Sequence, residues 1–177
     1  MKKIIVDIDN TLWDLAPVLY DRMREVSPGL PPAAEWREWD LWRSYIKPKA
    51  IYTLLDAIHM EQESFPPFDD AGEFLSALKE MGFHIIVASH RRQDAFDPTA
   101  RWLHRNGLVY DQIHLSHDKT VLFDDCWGVI DDSPETLSKA RDAGIVRAGL
   151  RNPWNEGEDH PLFDNLKQIK EYLRKQL

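Results

Sequence analysis

The chain has 177 residues, 43% of them hydrophobic, and a formal net charge of -8. That is enough to bury one soluble domain with a modest insert, and the acidic balance without any basic run excludes a surface for a nucleic acid polymer. No apolar stretch approaches a membrane span, the aliphatic run after Lys2-Lys3 is too short for a signal peptide, and Cys126 stands alone, so a cytoplasmic protein with a core thiol and no disulfide is expected.

The first strand is expected over residues 3 to 8, where Ile4, Ile5 and Val6 give way to Asp7-Ile8-Asp9-Asn10-Thr11-Leu12. Two carboxylates two residues apart at a strand end are a signature of phosphate chemistry, although a solvated strand end can produce the same pattern. The connection that follows, residues 14 to about 68, is far longer than an ordinary crossover. Pro28, Pro31, Pro32, Pro48 and Pro66-Pro67 punctuate it, and Trp36, Trp39, Trp42, Tyr45 and Tyr52 lie between them. Spacing by three in a charged run predicts a short helix with an aromatic stripe. In the simpler account these rings are the insert's own core; placed over a phosphate site, one or two could instead stack on a nucleobase.

Asp70 with Glu73 predicts a capping box opening a helix that ends at Gly82. A second strand over 84 to 88 stops at Ser89 and turns basic at His90, Arg91 and Arg92. Pro98 after Asp97 opens a helix that stops near Gly107. A third strand over 112 to 115 leads into Ser116-His117-Asp118-Lys119, and a fourth over 127 to 131 ends in Asp131-Asp132 before a helix started by Ser133-Pro134 and closed by Gly144. A fifth strand is expected over 145 to 148. The last helix, from Leu162 or Asp164 to Leu177, places Leu166, Ile169 and Leu173 on one face.

This alternation implies a parallel sheet with right-handed crossovers, whose ligand crevice lies outside the carboxyl ends of the strands. Asp7, Asp9, Ser89, Lys119, Asp131 and Asp132 would converge there. Carboxylates crowded together either take up protons or bind a hard cation, and Mg2+, which accepts a few carboxylates plus a substrate phosphate, is the natural candidate. No EF-hand spacing competes. His90, Arg91, Arg92 and His117 are candidates for contacting a small phosphorylated substrate, with exposed charges at a helix start as the alternative for both arginines. His59, His84, His104, His114 and His160 lack metal-ligand spacing and read as structural or surface residues.

These motifs, in order over residues 7 to 132, resemble the four motifs of the haloacid dehalogenase (HAD) superfamily of aspartyl phosphotransferases. The resemblance implies an α/β fold: a Rossmann-like HAD core (residues 1–13 and 69–177) with a parallel β-sheet flanked by helices, and a small helical cap (residues 14–68) inserted after the first strand. It implies a phosphatase in which Asp7 is the nucleophile forming an aspartyl-phosphate, Asp9 is the general acid and base, and Ser89 and Lys119 hold the phosphoryl oxygens. Asp132, with Asp131 beside it, would anchor magnesium together with the Asp7 carboxylate and the Asp9 main-chain carbonyl. The acid role requires that the neighbours of Asp9 raise its pKa.

Residues 113 to 121, residues 129 to 132 and Asn152-Pro153-Trp154-Asn155 are similar to segments of the 5'(3')-deoxyribonucleotidase group, whose small cap supplies aromatic contacts to a base. A nucleoside monophosphate is then the expected substrate, with His90, Arg91, His117, Trp13, Trp36, Trp39 and Trp42 as substrate-binding candidates. The chain departs from that group at Leu15, where an aromatic base contact is usual, at His90, which replaces a hydroxyl residue, and at His117, which replaces an arginine. Trp13 after Thr11-Leu12 also resembles the magnesium-dependent phosphatases of sugar or protein-linked phosphates, which gives a second reading. A non-catalytic phosphate-binding or partner-binding module is the third, opposed by the intact Asp7, Asp9 and Lys119.

Overall fold

The computed structural model describes residues 2–157 and 159–177. In chain order the elements are β1 (Lys3–Val6), α1 (Leu15–Val26), α2 (Pro48–Met60), α3 (Ala71–Glu80), β2 (His84–Ser89), α4 (Phe96–Arg105), β3 (Gln112–Leu115), β4 (Cys126–Ile130), α5 (Pro134–Asp142), β5 (Val146–Leu150), β6 (Leu162–Phe163) and α6 (Leu166–Gln176). The strands form one parallel sheet in the order β3-β2-β1-β4-β5-β6, a mixed α/β Rossmann-like arrangement. Strand alternation divides the core. Ile4, Val6, Ile85 and Val87 pack on Phe74, Leu78, Trp102 and Ile169, whereas Ile5, Ile86, Ala88 and Val129 pack with Phe123, Cys126 and Ala140 on the other face. Because both faces are covered, the central strands are continuous apolar runs rather than alternating ones.

The chain leaves β1 toward β2 on one side and returns to β4 on the other, so the strand order reverses beside β1 and opens a crevice at its carboxyl end. Three local features differ from expectation. Leu162–Phe163 does not begin the last helix but pairs with Gly149 and Leu150 as an edge strand, and α6 starts after Asn165, whose side chain accepts from the Gln168 N–H at 2.9 Å. The capping box at Asp70 and Glu73 does not form. Asp70 accepts from the Leu166 N–H at 3.0 Å and Glu73 pairs with Lys170 at 2.6 Å, so both carboxylates fasten α6 to α3. The tryptophan spacing does not make one helix either. Trp36 closes a 3-10 turn over Ala33–Glu35 and Trp42 sits in another over Leu41–Ser44, and the Trp36 indole donates to the Pro31 carbonyl at 2.9 Å.

The helix starting at Ser133-Pro134 follows its sequence signals, with Ser133 Oγ accepting from the Thr136 N–H and Gly144 closing it at a φ of 71°. Among the described residues, no helix is long and apolar enough to cross a membrane.

Candidate active site

Asp7 is held at the end of β1 by its N–H, which donates to the Ile130 carbonyl of β4 at 2.9 Å. Lys119, arriving after β3, donates to the Asp7 carboxylate and to Asp131 Oδ2, the latter at 2.7 Å. Asp131 also accepts from the Ser133 N–H at 2.9 Å, and Asp132 accepts from Asn10 Nδ2 at 2.9 Å. Nothing in the sequence pattern marks Asn10 for this role. It adopts the left-handed region at φ 54°, and its side-chain carbonyl accepts from the Ala16 N–H at 2.9 Å, which ties the start of α1 to the acidic cluster.

Asp7, Asp131, Asp132 and Lys119 are all buried, and a carboxylate oxygen from each aspartate lies within 4.8 Å of the others. One ammonium faces three carboxylates. Burial, with Asp131 and Asp9 adding to it against the opposing pull of Lys119, pushes the Asp7 carboxyl up to about 7. Burial, with Asp7 and Asp131, likewise raises Asp132 well above the usual carboxylate range. Burial alone would lower Lys119, but Asp131 and Asp7 outweigh it and hold the ammonium charged. A buried oxygen-rich cluster short of positive charge fits a hard divalent cation.

Asp9 belongs to a different network. Its carboxylate accepts from Trp13 Nε1 at 2.9 Å, Ser89 Oγ at 3.0 Å and the Arg91 guanidinium at 2.7 Å, and His59 Nε2 approaches to 3.2 Å. Burial would raise its pKa, but Arg91 and then His59 reverse that and hold the carboxyl well below the usual range, opposite to the expected direction. The reason is Arg91. Rather than an exposed charge or a substrate contact, it is 1% exposed, with its remaining donors on Ser89 Oγ and Thr99 Oγ1 at 3.0 and 2.9 Å. Trp13 is likewise buried, stacked on Phe65 at 5.1 Å, and faces Asp9 rather than a ligand space. Ser89 spends its hydroxyl on Asp9. His59, read from the sequence as structural or surface, is buried against Asp9 because α2 folds back over the strand ends; nothing in its sequence spacing signals this.

A cleft of about 690 Å³ opens over these groups, lined by Asp7, Asp9, Lys119 and Asp131 together with Trp36, Trp39, Trp42, Tyr52 and Trp154. His90 and His117 also line it, as does exposed Arg92, which pairs with Asp94 at 3.0 Å. Trp154 packs at 6.4 Å from both Trp36 and Trp39, and Trp42 meets Tyr52 edge-on at 6.4 Å. The next residue, Asn155, donates to the main-chain carbonyls of Asp132 and Leu150 at 3.1 and 2.9 Å, so one loop braces both the acidic cluster and the aromatic wall.

No curated protein sequence matches the chain significantly. Among solved structures it is similar in fold to a HAD-superfamily hydrolase from Ehrlichia chaffeensis (TM-score 0.59, 19% identity, 99% of this chain and 98% of that one). A HAD family hydrolase from Deinococcus radiodurans R1 with bound phosphate and sodium gives a TM-score of 0.64 at 15% identity over 99% of this chain and 96% of that one. The D,D-heptose 1,7-bisphosphate phosphatase from B. bronchiseptica, complexed with magnesium and phosphate, gives 0.58 at 13% identity over the whole of both chains. The sequence model of the family described as "5' nucleotidase, deoxy (Pyrimidine), cytosolic type C protein" matches residues 2–168. The family match covers most of the chain, and the chain belongs to this 5' nucleotidase family; its fold is similar to that of the HAD hydrolases of known structure.

Proposed function

We propose that the protein is a magnesium-dependent nucleotidase that releases phosphate from nucleoside monophosphates through Asp7. The observation that carries this reading is a single cleft lined both by the buried Asp7, Asp131 and Lys119 and by five aromatic rings, Trp36, Trp39, Trp42, Tyr52 and Trp154. Such a cleft suits a ligand with a phosphate at one end and a flat base at the other. In this reading residues 14–68 act as a cap that supplies most of the aromatic wall, and a cytosolic location follows the family's description.

A carboxylate oxygen of Asp7 attacks phosphorus, the ester P–O bond breaks, and the leaving oxygen takes a proton from Asp9. Water then gives a proton to Asp9 and attacks the aspartyl-phosphate, releasing inorganic phosphate and restoring Asp7. Lys119 places a fixed positive charge against the phosphoryl oxygens. Magnesium would be held by Asp7, Asp132 and Asp131 with the Asp9 main-chain carbonyl, and when bound it screens the incoming dianion from the carboxylates. Free Asp9 is ionised, the form that serves as base. A phosphate dianion beside it opposes the influence of Arg91 and His59 and so favours the protonated form that the first step needs.

The test is phosphate release with magnesium from deoxy- and ribonucleoside monophosphates, sugar phosphates and a phosphopeptide. Nucleotides are expected to be preferred, and Asp7→Asn to lower turnover by about 1,000-fold or more while the fold survives. Residual Asp7→Asn activity within about tenfold of wild type overturns the nucleophile assignment. Preference for sugar phosphates or the phosphopeptide replaces the nucleotide reading with the other phosphatase class.

A further inference from the structure

We infer that the cleft selects nucleoside monophosphates whose base carries a positive charge, as N-alkylated bases do, with Trp39 and Glu38 reading that charge. The inference rests on the reading of the cleft as a nucleotide site and names the class of base. The face of an aromatic ring is the negative part of its quadrupole, and indole attracts a cation most strongly. Four of the five rings in the wall are indoles. None of their contacts is a parallel stack: Trp154 meets Trp36 at 44° and Trp39 at 61°, and Trp42 meets Tyr52 at 72°, whereas Trp13 and Phe65 lie within 22° of parallel. Rings inclined to one another in this way face a charge from more than one side, as the aromatic cages that bind alkylated ammonium groups do. One ring already holds a cation, the Arg43 guanidinium lying 4.9 Å from the Trp42 centroid. Among the described residues, no lysine or arginine lies over the other four.

The charges along the cleft favour the same ligand. Besides its histidines and the groups Asp7, Asp9, Asp131 and Lys119, the cleft is lined by two carboxylates, Glu38 and Asp56, and one guanidinium, Arg92. Arg92 is shared between Asp94 at 3.0 Å and Asp56 at 3.9 Å. The cations nearest Glu38 in the chain are also committed, Arg37 to Glu156 at 3.5 Å and Arg43 to Asp40 at 2.9 Å, and among the described residues Glu38 forms no ion pair. An unbalanced negative charge therefore stands next to the exposed ring of Trp39. A neutral base packed there takes water from this carboxylate and returns at most a hydrogen bond, while a cationic base returns a charge as well. The ligand that fits is a zwitterion, with its phosphate at Lys119 and its cation on the rings. Water and this ester yield inorganic phosphate and the alkylated nucleoside through the P–O cleavage at Asp7 already described.

The test holds shape nearly constant and varies charge. Phosphate release is measured near neutral pH from dCMP, from 3-methyl-dCMP, whose base is a cation there, and from 5-methyl-dCMP, which carries the same added group on a neutral base. The kcat/KM for 3-methyl-dCMP should exceed the other two by about tenfold, and Glu38→Gln and Trp39→Leu, both at exposed positions, should each cut that preference by about threefold or more. If dCMP is hydrolysed but 3-methyl-dCMP is no better than 5-methyl-dCMP, the inference is overturned and the nucleotidase reading stands. A preference that both variants retain also overturns it, because the charge is then read elsewhere. If no nucleotide releases phosphate while a sugar phosphate does, the nucleotidase reading fails and the inference with it. Phosphocholine separates the two sources of organic cation: turnover above that of 3-methyl-dCMP assigns the rings to ammonium groups and overturns the choice of a charged base.

Discussion

Asp9 and Arg91 form a pair that the sequence displays as unrelated charges 82 residues apart. Arg91 is held by Asp9, Ser89 and Thr99 inside the protein, so removing it leaves a buried carboxylate without its main counter-charge. Arg91→Met should therefore destabilise the fold by about 3 to 5 kcal/mol, read by urea unfolding. Adding Asp9→Asn to the same chain should return part of that loss, because the uncompensated charge disappears with it. A cost of Arg91→Met below about 1 kcal/mol, or strictly additive losses, would mean that the pair does not organise this region. That Asp7, Asp131, Asp132 and Lys119 would gather at one end of the sheet was legible from strand ends alone. The direction of the Asp9 shift was not, because Arg91 and His59 reach the carboxylate only after β2 and α2 have packed.

At the level of elements, β5 approaches the site so closely that Gly149 has no room for a side chain: a Cβ there would collide with the Asp131 carbonyl. Gly149→Ala should force β5 away from the acidic cluster, costing about 1 to 3 kcal/mol in thermal unfolding and lowering activity through displaced Asp131. Unchanged stability would show that the strand yields freely. The aromatic wall belongs to the same scale. Trp39 is 44% exposed and Trp36 8% exposed, yet both line the cleft with Trp154. Changed singly to Ala, Trp36, Trp39 and Trp42 should raise KM for nucleotides more than for p-nitrophenyl phosphate; equal effects would leave these rings a structural role only. The tryptophans spaced by three share no helix: Trp36 follows one short 3-10 turn, Trp39 lies between the two turns and Trp42 sits in the second, with Trp36 and Trp42 packed among residues of α1, α2 and the loop after β5.

The whole molecule bears the electrostatic cost of its acidic cluster. The raised Asp7 and Asp132 mean that the folded, metal-free protein keeps protons that the unfolded chain has already released above about pH 4. The stability they contribute is thus fully present below the unfolded range and is lost as pH rises, for Asp7 through about 7, with the raised Asp132 acting in the same direction. A cation that binds the ionised cluster reverses this loss. Melting curves with chelator and with excess magnesium should therefore differ strongly at about pH 8 and little at about pH 5. The same magnesium shift at both values would place the ion elsewhere.

Sequence alone determined the α/β class, the placement of Asp7, Asp131 and Asp132 at strand ends and the helix boundaries marked by Ser133-Pro134 and by Gly82 and Gly144. These are local properties: an apolar run, a turn residue, a cap. Only the tertiary structure decided that Asp70 and Glu73 would fasten α6 rather than cap α3, that Leu162–Phe163 would extend the sheet, and that Arg91, Trp13 and His59 would surround Asp9. Each of those outcomes is a competition between partners distant in the chain. The winner is set by which groups share a buried space once the sheet has formed, and burial is what makes an unpaired charge or a missed hydrogen bond too costly to leave.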